Sequence, residues 1–279
     1  MIPFNFTYCR PSTEKEAADA FAAHESEGKT PLYYAGGSEI ITMCRTRSIS
    51  PGCVIDIKNI PNLNLLSVDG NHLIIGTANT LTKICQSKLF PLLKLACGRI
   101  ADHTNQCRIT LGGNICGSII YRETVLPLLL SDADITLFGP NGGRSASVES
   151  IFRRRLARNQ NEMITQVRIP IWALDARHAH IKKTANEKID YPLISVAALW
   201  KGETLRVAFS GLCSYPFRSK EIESVLNDRA KSIEERAQRA SELLPEQAYN
   251  DSVASSEYRL FVLKNTLEKL LEGWENDSI

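Results

Sequence analysis

The sequence lacks several features that mark large classes of protein. Its 279 residues contain no apolar run long enough to span a bilayer, and the stretch from Val125 to Leu130 is far too short. The opening residues lack the basic-then-apolar pattern of a secretory signal. Neither a G-x-x-x-x-G-K-[ST] phosphate loop nor a G-x-G-x-x-G fingerprint occurs. We therefore expect a cytoplasmic protein that is neither a membrane protein, a P-loop NTPase nor a Rossmann dinucleotide-binding protein.

Metal-binding patterns are also missing. The chain has eight cysteines, but no two form a C-x-x-C pair, which is the usual cue for zinc ribbons, thioredoxin-like sites and iron–sulfur ligation. His178 and His180 share a face of a predicted strand, yet no carboxylate or cysteine cluster accompanies them. We expect no metal site in this chain and reduced, mostly buried thiols, including Cys107 and Cys116.

The sequence has little excess charge. A formal net charge of +2 provides no global field that would favour nucleic acid or a membrane surface. The basic run Arg153 to Arg155, followed by Arg158, has no interleaved aromatic residues of the kind that stack on bases. We interpret it as a solvated helix face or a contact to a partner subunit, with no nucleic-acid or membrane partner expected.

The hydrophobic pattern predicts three successive parts. The first, residues 1–58, is a small α/β unit with a helix that begins at a capping box formed by Thr13 and Glu16. The second, residues 59–174, contains two hairpins and two helices. The third, residues 175–279, has an antiparallel sheet followed by helices, so the fold class is α+β. The predicted strands are 4–8, 32–35, 54–57, 65–68, 73–76, 135–138, 144–148, 163–169, 178–184, 193–200 and 204–210, and the predicted middle helices are 82–89 and 92–101.

The last predicted helix carries a stripe of apolar residues at spacings of three and four, which indicates a face that packs on the core. The stripe consists of Leu260, Leu263, Leu267, Leu270 and Trp274.

Two glycine-rich segments carry the chemistry. Each couples two glycines to a hydroxyl residue, and glycines allow the backbone to approach an anion closely. Two such segments facing each other could hold both halves of a pyrophosphate through main-chain amides, with hydroxyl and amide side chains adding donors. Each alone is equally compatible with a plain tight turn. The first glycine segment is Tyr33, Tyr34, Ala35, Gly36, Gly37, Ser38, Glu39 and Ile40, and the second is Thr110, Leu111, Gly112, Gly113 and Asn114.

The two segments together resemble the FAD pyrophosphate loops in the medium subunits of molybdenum hydroxylases, the family of xanthine dehydrogenases and carbon monoxide dehydrogenases. The resemblance extends along the chain, and further matching positions are Val54–Ile57, Arg108, Pro127–Ala133, Glu162–Pro170, Asp190–Val196, Gly211, Pro216, Arg218 and Glu221. It implies a two-subdomain FAD-binding domain of the PCMH type, with subdomains at 1–58 and 59–174. A C-terminal α+β domain like that of the carbon monoxide dehydrogenase flavoprotein would occupy residues 175–279.

The resemblance also implies individual cofactor contacts. Glu123 lies where the family usually has an aspartate that holds a polar part of FAD, and Ile100 and Ile164 lie at apolar contact positions. Lys182, or its neighbour Lys183, corresponds to a lysine near the flavin ring; the alternative is an exposed strand lysine.

The sequence departs from the family at several positions. Glu123 replaces the shorter aspartate, residues 119–122 (IIYR) replace small residues and proline, and Asn186 and Glu187 replace paired arginines.

The implied function is electron relay. Substrate, by family habit xanthine or hypoxanthine, would be oxidised at a molybdopterin centre in a large partner subunit. Electrons would cross [2Fe-2S] clusters of a small partner subunit, reach FAD in this chain and pass to NAD+. We assign no catalytic acid or base, since the chemistry belongs to the cofactor. The alternatives are a flavin-free scaffold subunit and a stand-alone flavin reductase.

Overall fold

The computed structural model describes residues 2–186 and 189–276, so Glu187 of the replaced arginine pair lies outside the described residues. Its strands are β1 Thr7–Cys9, β2 Pro31–Tyr34, β3 Cys53–Asp56, β4 Leu66–Asp69, β5 His72–Gly76, β6 Asp134–Gly139, β7 Gly142–Ser147, β8 Met163–Pro170, β9 His178–Thr184, β10 Pro192–Lys201, β11 Thr204–Ser210 and β12 Phe217–Arg218. Its helices are α1 Glu14–Ser26, α2 Ser38–Arg45, α3 Leu81–Ser87, α4 Pro91–Cys97, α5 His103–Gln106, α6 Leu111–Cys116, α7 Val125–Leu130, α8 Val148–Ile151, α9 Lys220–Leu226, α10 Ile233–Ser241 and α11 Ser256–Glu275.

The chain forms two compact units. Unit 1 comprises Met1–Ser87, His103–Gly117 and Asp132–Ile171. Unit 2 comprises Lys88–Asp102, Ser118–Ser131 and Trp172–Ile279. Among the described residues, no helix is both long enough and apolar enough to cross a membrane.

Unit 1 contains a small parallel sheet in the order β1-β3-β2. Helix α1 covers it with a short apolar face, and Ala17 and Phe21 pack with Ile55 of the central strand. The Thr13 hydroxyl caps α1 as predicted, accepting from the Glu16 amide at 3.1 Å. The Glu16 carboxylate accepts from the amide of Ser12 rather than that of Thr13, so the predicted capping box is only half formed.

Unit 1 also contains a five-stranded sheet in the order β4-β5-β8-β6-β7, in which every pairing is antiparallel. Both predicted hairpins are present in it. The outer strand β7 is largely exposed, and Arg144 on it pairs with Glu162 at 2.6 Å, just before β8 begins.

Unit 2 contains an antiparallel sheet in the order β12-β11-β10-β9 with α9, α10 and α11 packed on it. The stripe on α11 is buried as predicted at Leu263, Leu267, Leu270 and Trp274, while Leu260 is half-buried. Trp274 packs against Trp200 of β10, with ring centroids 5.9 Å apart. Each large apolar side chain buried in this way contributes roughly 1.5–3 kcal/mol to folding.

Some sequence expectations were wrong. The first strand lies at Thr7–Cys9 rather than at residues 4–8, and the helix expected at 92–101 ends at Cys97. Arg153 to Arg155 lie in an exposed bend rather than on a helix face. Cys107 and Cys116 are exposed, although half of the eight thiols are buried as expected and none is in a disulfide.

Candidate functional site

The first glycine segment is a strand-to-helix connection rather than a plain turn. Tyr33 and Tyr34 end β2, and Gly37 is the residue before α2, with a left-handed backbone (φ 73°) that favours glycine. Gly37, the residue before α2, makes no side-chain capping bond. The first amides of a helix have no partner within it, so this end of α2 is suited to an anion.

The second glycine segment is also the start of a helix. Thr110 precedes α6, and the two glycines lie in its first turn. Several of its amides donate to acceptors within the protein, and their expected contact with an anion stays a prediction. Leu111 donates to Asn79 O at 3.0 Å, Gly112 to Thr77 O at 2.9 Å, and Gly113 to the Thr110 hydroxyl at 3.2 Å.

The two segments touch each other. A Cβ added to Gly36 would fall on the carbonyl oxygen of Arg108 and lie 3.2 Å from the amide nitrogen of Thr110. A Cβ on Gly117, at the end of α6, would lie 3.1 Å from the carboxylate of Glu39. Only a residue without a side chain fits at Gly36, which explains why glycine is found where the two backbones meet.

A buried carboxylate, that of Asp56, binds the lysine that contacts the first glycine segment. Asp56, at the end of β3, accepts from the Lys58 ammonium and from the Tyr8 hydroxyl, both at 2.7 Å. Lys58 also donates to Ala35 O at 3.3 Å and lies 4.4 Å from the centre of the Tyr34 ring. Burial would raise the pKa of Asp56, but the hydrogen bonds from Lys58 and Tyr8 lower it below its usual value. Sequence reasoning missed Lys58 and Tyr8, because nothing in their local sequence marks these contacts.

Ser38 provides a test of whether this end of α2 suits an anion. Its hydroxyl oxygen is buried and has no hydrogen-bond partner among the described residues. An unpartnered buried hydroxyl is costly, so it indicates a group that is built to meet a ligand. Uncapped amides, absent Cβ atoms and a hydroxyl together fit a phosphate.

Tyr33 is placed differently from the rest of its segment. Its ring packs on Phe21 with centroids 4.9 Å apart, and its hydroxyl donates to Asn161 O at 3.1 Å. Burial raises the pKa of Tyr33 above its ordinary value. Its side chain therefore serves the core of unit 1.

Ile164 is joined to the second glycine segment through one threonine. The Thr77 hydroxyl donates to Ile164 O at 2.6 Å, while Thr77 O accepts from Gly112. A Cβ on Gly112 would lie 2.9 Å from that of Thr77. Asn114, one turn into α6, is buried at 7% exposure.

The other expected site residues form a second group, within unit 2. The Lys182 ammonium lies 3.0 Å from the Glu123 carboxylate and 2.7 Å from the carbonyl oxygen of Arg99, which precedes Ile100. Both side chains of the ion pair are 4% exposed, so the alternative of an exposed strand lysine is wrong. Burial raises the pKa of Glu123, and the neighbouring ammonium opposes that shift.

Backbone strain accompanies this pair. Arg122, immediately before Glu123, has a φ of 29°, and Ala101, immediately after Ile100, has a φ of 51°. Residues with a Cβ rarely adopt such angles, so both positions adjoining this group are strained.

The sequence matches known proteins over most of its length. The family described as FAD binding domain in molybdopterin dehydrogenase matches residues 4–172. The chain is 28% identical to the glyceraldehyde dehydrogenase medium chain of Sulfolobus acidocaldarius, over 95% of this chain and 96% of that one. It is 24% identical to caffeine dehydrogenase subunit beta of a Pseudomonas species, over 86% of this chain and 92% of that one.

The fold is also found among solved structures. A carbon monoxide dehydrogenase from Hydrogenophaga pseudoflava, in a form that lacks the Mo-pyranopterin moiety of the molybdenum cofactor, matches with a TM-score of 0.85 and 23% identity, over 96% of both chains. The predicted α+β class and its FAD-binding architecture are confirmed. Since the family match covers more than half of the sequence, the chain belongs to the family of FAD binding domains in molybdopterin dehydrogenases and is an FAD-binding oxidoreductase subunit.

Proposed function

We propose that the first glycine segment binds the pyrophosphate of FAD. The second glycine segment packs against the first and closes one side of this site. The observation that carries this proposal is the contact of Gly36 with the backbone of Arg108 and Thr110, beside an uncapped helix that begins at Ser38. Two residues more than seventy positions apart are in backbone contact there because one of them is glycine.

The electrostatics suit a doubly charged phosphate bridge. The amides of the first turn of α2 carry the positive end of the helix dipole, which stabilises an anion by about 0.3–1 kcal/mol. Hydrogen bonds to a charged acceptor add roughly 1.5–3 kcal/mol each, and the Ser38 hydroxyl is placed to give one. Lys58 is held by Asp56, so the phosphates are bound by dipoles rather than by a lysine. A site of this kind suits a cofactor that stays bound through many turnovers.

The remaining residues of unit 1 have distinct proposed roles. Glu39 offers a carboxylate to sugar hydroxyls of the cofactor, since its side chain reaches the end of α6 beside Gly117. Ile164 and Asn114 fix and line the second segment. FAD, when bound, supplies the capacity to take up electrons singly and release them in pairs. The protein's own part is to place the cofactor.

We infer that the chain works within a complex. The sequence has no C-x-x-C pair for iron–sulfur ligation. We therefore assign the [2Fe-2S] clusters to a small partner subunit and the molybdopterin to a large one. The medium-chain names of its relatives support this arrangement. A cytoplasmic location is part of the proposal, since none of the eight cysteines is in a disulfide and two of them are exposed, which suits a reducing compartment.

We further propose NAD+ as the electron acceptor and a xanthine-type purine as the substrate of the complex. The caffeine dehydrogenase relative supports the purine, because caffeine is a methylated xanthine. The glyceraldehyde dehydrogenase relative makes an aldehyde the competing candidate substrate. Purified complex should be given xanthine or glyceraldehyde with NAD+, and NADH formation followed by absorbance. Turnover of glyceraldehyde alone would contradict the purine, and reduced flavin without NADH would contradict the acceptor.

The central test is the absorbance spectrum of the purified chain. Oxidised flavin bands with about one FAD per chain are expected, with a rise in melting temperature when FAD is added to the stripped protein. A well-folded, colourless chain that takes up no FAD would instead identify a flavin-free scaffold. A chain that holds no flavin tightly but reduces free flavin with NADH, without partners, would identify a stand-alone flavin reductase.

A further inference from the structure

A cluster of two thiols and an imidazole lies in the small parallel sheet of unit 1. Cys9 ends β1, Cys53 begins β3, and His24 lies in the last turn of α1. The two sulfur atoms are 3.8 Å apart, and the Cys9 sulfur is 3.3 Å from Nε2 of His24. All three donor atoms lie within 4.8 Å of one another. The residues are 15 and 29 positions apart, so no local motif marks them.

These distances match those between the ligands of a tetrahedral zinc ion. Zinc–sulfur bonds of about 2.3 Å place two thiolate sulfurs about 3.8 Å apart at the tetrahedral angle. A zinc–nitrogen bond of about 2.0–2.1 Å places sulfur and nitrogen about 3.6 Å apart. The sulfur–sulfur distance equals the first value, and the sulfur–nitrogen distance differs from the second by only a few tenths of an ångström.

The histidine is oriented by a carboxylate. Nδ1 of His24 lies 3.1 Å from the Glu27 carboxylate, which also pairs with Lys29 at 2.8 Å. A metal-bound histidine usually donates its second ring N–H to a carboxylate in this way, which fixes the ring and strengthens it as a ligand. His24 therefore presents the opposite nitrogen, Nε2, to the sulfur atoms.

A disulfide between the two cysteines does not fit the strand register. β1 and β3 are parallel, and Cys53 is opposite Thr7, two positions before Cys9. Strands lie about 4.8 Å apart and rise about 3.3 Å per residue, so the two Cα atoms are roughly 8 Å apart. Disulfides usually need about 4.4–6.8 Å between Cα atoms. The pair can share a metal ion more readily than a covalent bond.

We propose that Cys9, His24 and Cys53 bind one zinc ion, with a water molecule as the fourth ligand. Cys53 is fully buried, whereas the His24 side chain is 16% exposed, so a metal ion and its water have access from the His24 side. Binding releases the two thiol protons, because thiolates are the ligands. The ion would join α1 to two strands of the sheet, at sites outside the glycine segments.

The test starts from metal content. Full-length chain, purified without a metal-affinity tag, should contain about one zinc per chain after gel filtration. Replacement by Co2+ should give intense visible bands of a tetrahedral cobalt–thiolate site, at wavelengths beyond the flavin absorbance. A metal-free chain with only the weak spectrum of hydrated Co2+ would overturn the proposal.

Variants identify the ligands. Cys9→Ser and His24→Ala should lose the zinc, while His24→Cys should keep it, because a thiolate can replace the imidazole. Glu27→Gln should weaken zinc binding by roughly 10–100-fold, as loss of a carboxylate behind a metal-bound histidine does.

The matched control is Cys107→Ser. The Cys107 sulfur also lies near a histidine nitrogen, 3.7 Å from Nε2 of His103, but among the described residues no third ligand completes a metal-binding group there. Its variant should keep the zinc. If Cys107→Ser loses the metal as readily as Cys9→Ser, or if His24→Cys fails to keep it in a chain that still binds FAD, the metal is adventitious and the proposal fails.

Discussion

Gly36 illustrates how much one missing side chain can determine. Its Cα sits against the carbonyl oxygen of Arg108, so the two glycine segments can meet only if this position lacks a Cβ. Gly37, the next residue, is required for a different reason, since its φ of 73° is left-handed and the Tyr34 ring occupies the space of a Cβ. Two adjacent glycines thus satisfy two separate constraints, one of packing and one of backbone angle.

The first prediction concerns Gly36→Ala. The added methyl must displace the Arg108 backbone, and overpacking of this kind costs typically about 1–3 kcal/mol. FAD affinity should fall by at least about tenfold, with circular dichroism unchanged. The measurement is FAD titration of the stripped chain, followed by flavin fluorescence.

Gly143→Ala is the matched control for that substitution. Its Cβ would meet Phe138 at 3.6 Å and Leu137 O at 3.8 Å, which are ordinary contacts. FAD affinity should be unaffected. Equal losses of FAD affinity in Gly36→Ala and Gly143→Ala would contradict the proposed site. They would show that the contact between the two glycine segments is not what controls FAD binding.

The second prediction is that Ser38→Ala stabilises the flavin-free chain but weakens FAD binding. The Ser38 hydroxyl is buried without a partner, so its removal should stabilise the flavin-free chain by about 1 kcal/mol. The same change should weaken FAD binding by roughly tenfold, because a hydrogen bond to the phosphate is lost. Thermal unfolding of the stripped chain and FAD titration measure the two effects.

Thr42→Ala is the control in the same helix. The Thr42 hydroxyl is exposed and donates to Ser38 O at 3.2 Å, one turn beyond the proposed site. It should leave FAD affinity unchanged. If Ser38→Ala destabilises the stripped chain and leaves FAD binding intact, the hydroxyl serves the fold rather than the cofactor.

At the scale of elements, runs of strand-forming residues bounded by turns were sufficient to find the sheets. The bounds predicted for β9 and β11 are those observed, although neither strand alternates strictly between buried and exposed positions. The helices at the two glycine pairs were missed. Gly36-Gly37 and Gly112-Gly113 have the composition of a turn, yet α2 begins directly after the first pair and α6 contains the second pair in its first turn.

The site residues also differ in whether the sequence could identify them. Members of the two segments could be named from composition and resemblance, since they are contiguous. The support of Lys58 and Asp56 beneath Ala35 depends on strand order, which the local sequence does not encode. The Glu123–Lys182 pair spans 59 positions, and its burial depends on how α4, α7 and β9 pack within unit 2.

The third prediction concerns that buried ion pair. Lys182→Met should destabilise unit 2 by about 3–5 kcal/mol, because it leaves a buried carboxylate without its partner. Lys182→Met combined with Glu123→Leu should recover most of that loss. Urea unfolding of the flavin-free chain measures both. The three tryptophans all lie in unit 2, so their fluorescence reports on the unit that carries the pair.

Arg239→Met is the control for this cycle. Arg239 pairs with Glu242 in unit 2, but the two side chains are 64% and 49% exposed. Exposed pairs contribute little to stability, so no measurable change is expected. If the double variant is as unstable as Lys182→Met alone, the two charges do not compensate each other in the folded unit.

At the scale of the whole molecule, a buried neutral histidine makes the free energy of unfolding depend on pH. His180 of β9 is 8% exposed and hydrogen-bonds the Ser195 hydroxyl at 3.1 Å. Burial, together with the charges of Arg99 and Lys182, lowers the pKa of His180 from 6.5 to about 3. The unfolded chain therefore takes up a proton near pH 6.5, whereas the folded chain excludes it until about pH 3.

The fourth prediction follows from the lowered pKa of His180 in the folded chain. Folding excludes a proton throughout this window, so stability is highest above pH 6.5 and falls by about 1.4 kcal/mol per unit as the solution is acidified. Between pH 7 and pH 5 the contribution of His180 should fall by about 2 kcal/mol.

His180→Gln removes the titration, and the difference between the two chains isolates it from the raised pKa of Glu123 nearby. Urea unfolding followed by tryptophan fluorescence at both pH values is the measurement. His103→Gln, an exposed histidine of unit 1, should leave the signal of unit 2 as it is in the parent chain. An equal acid loss in His180→Gln and the parent would mean that other groups control the acid sensitivity of this unit.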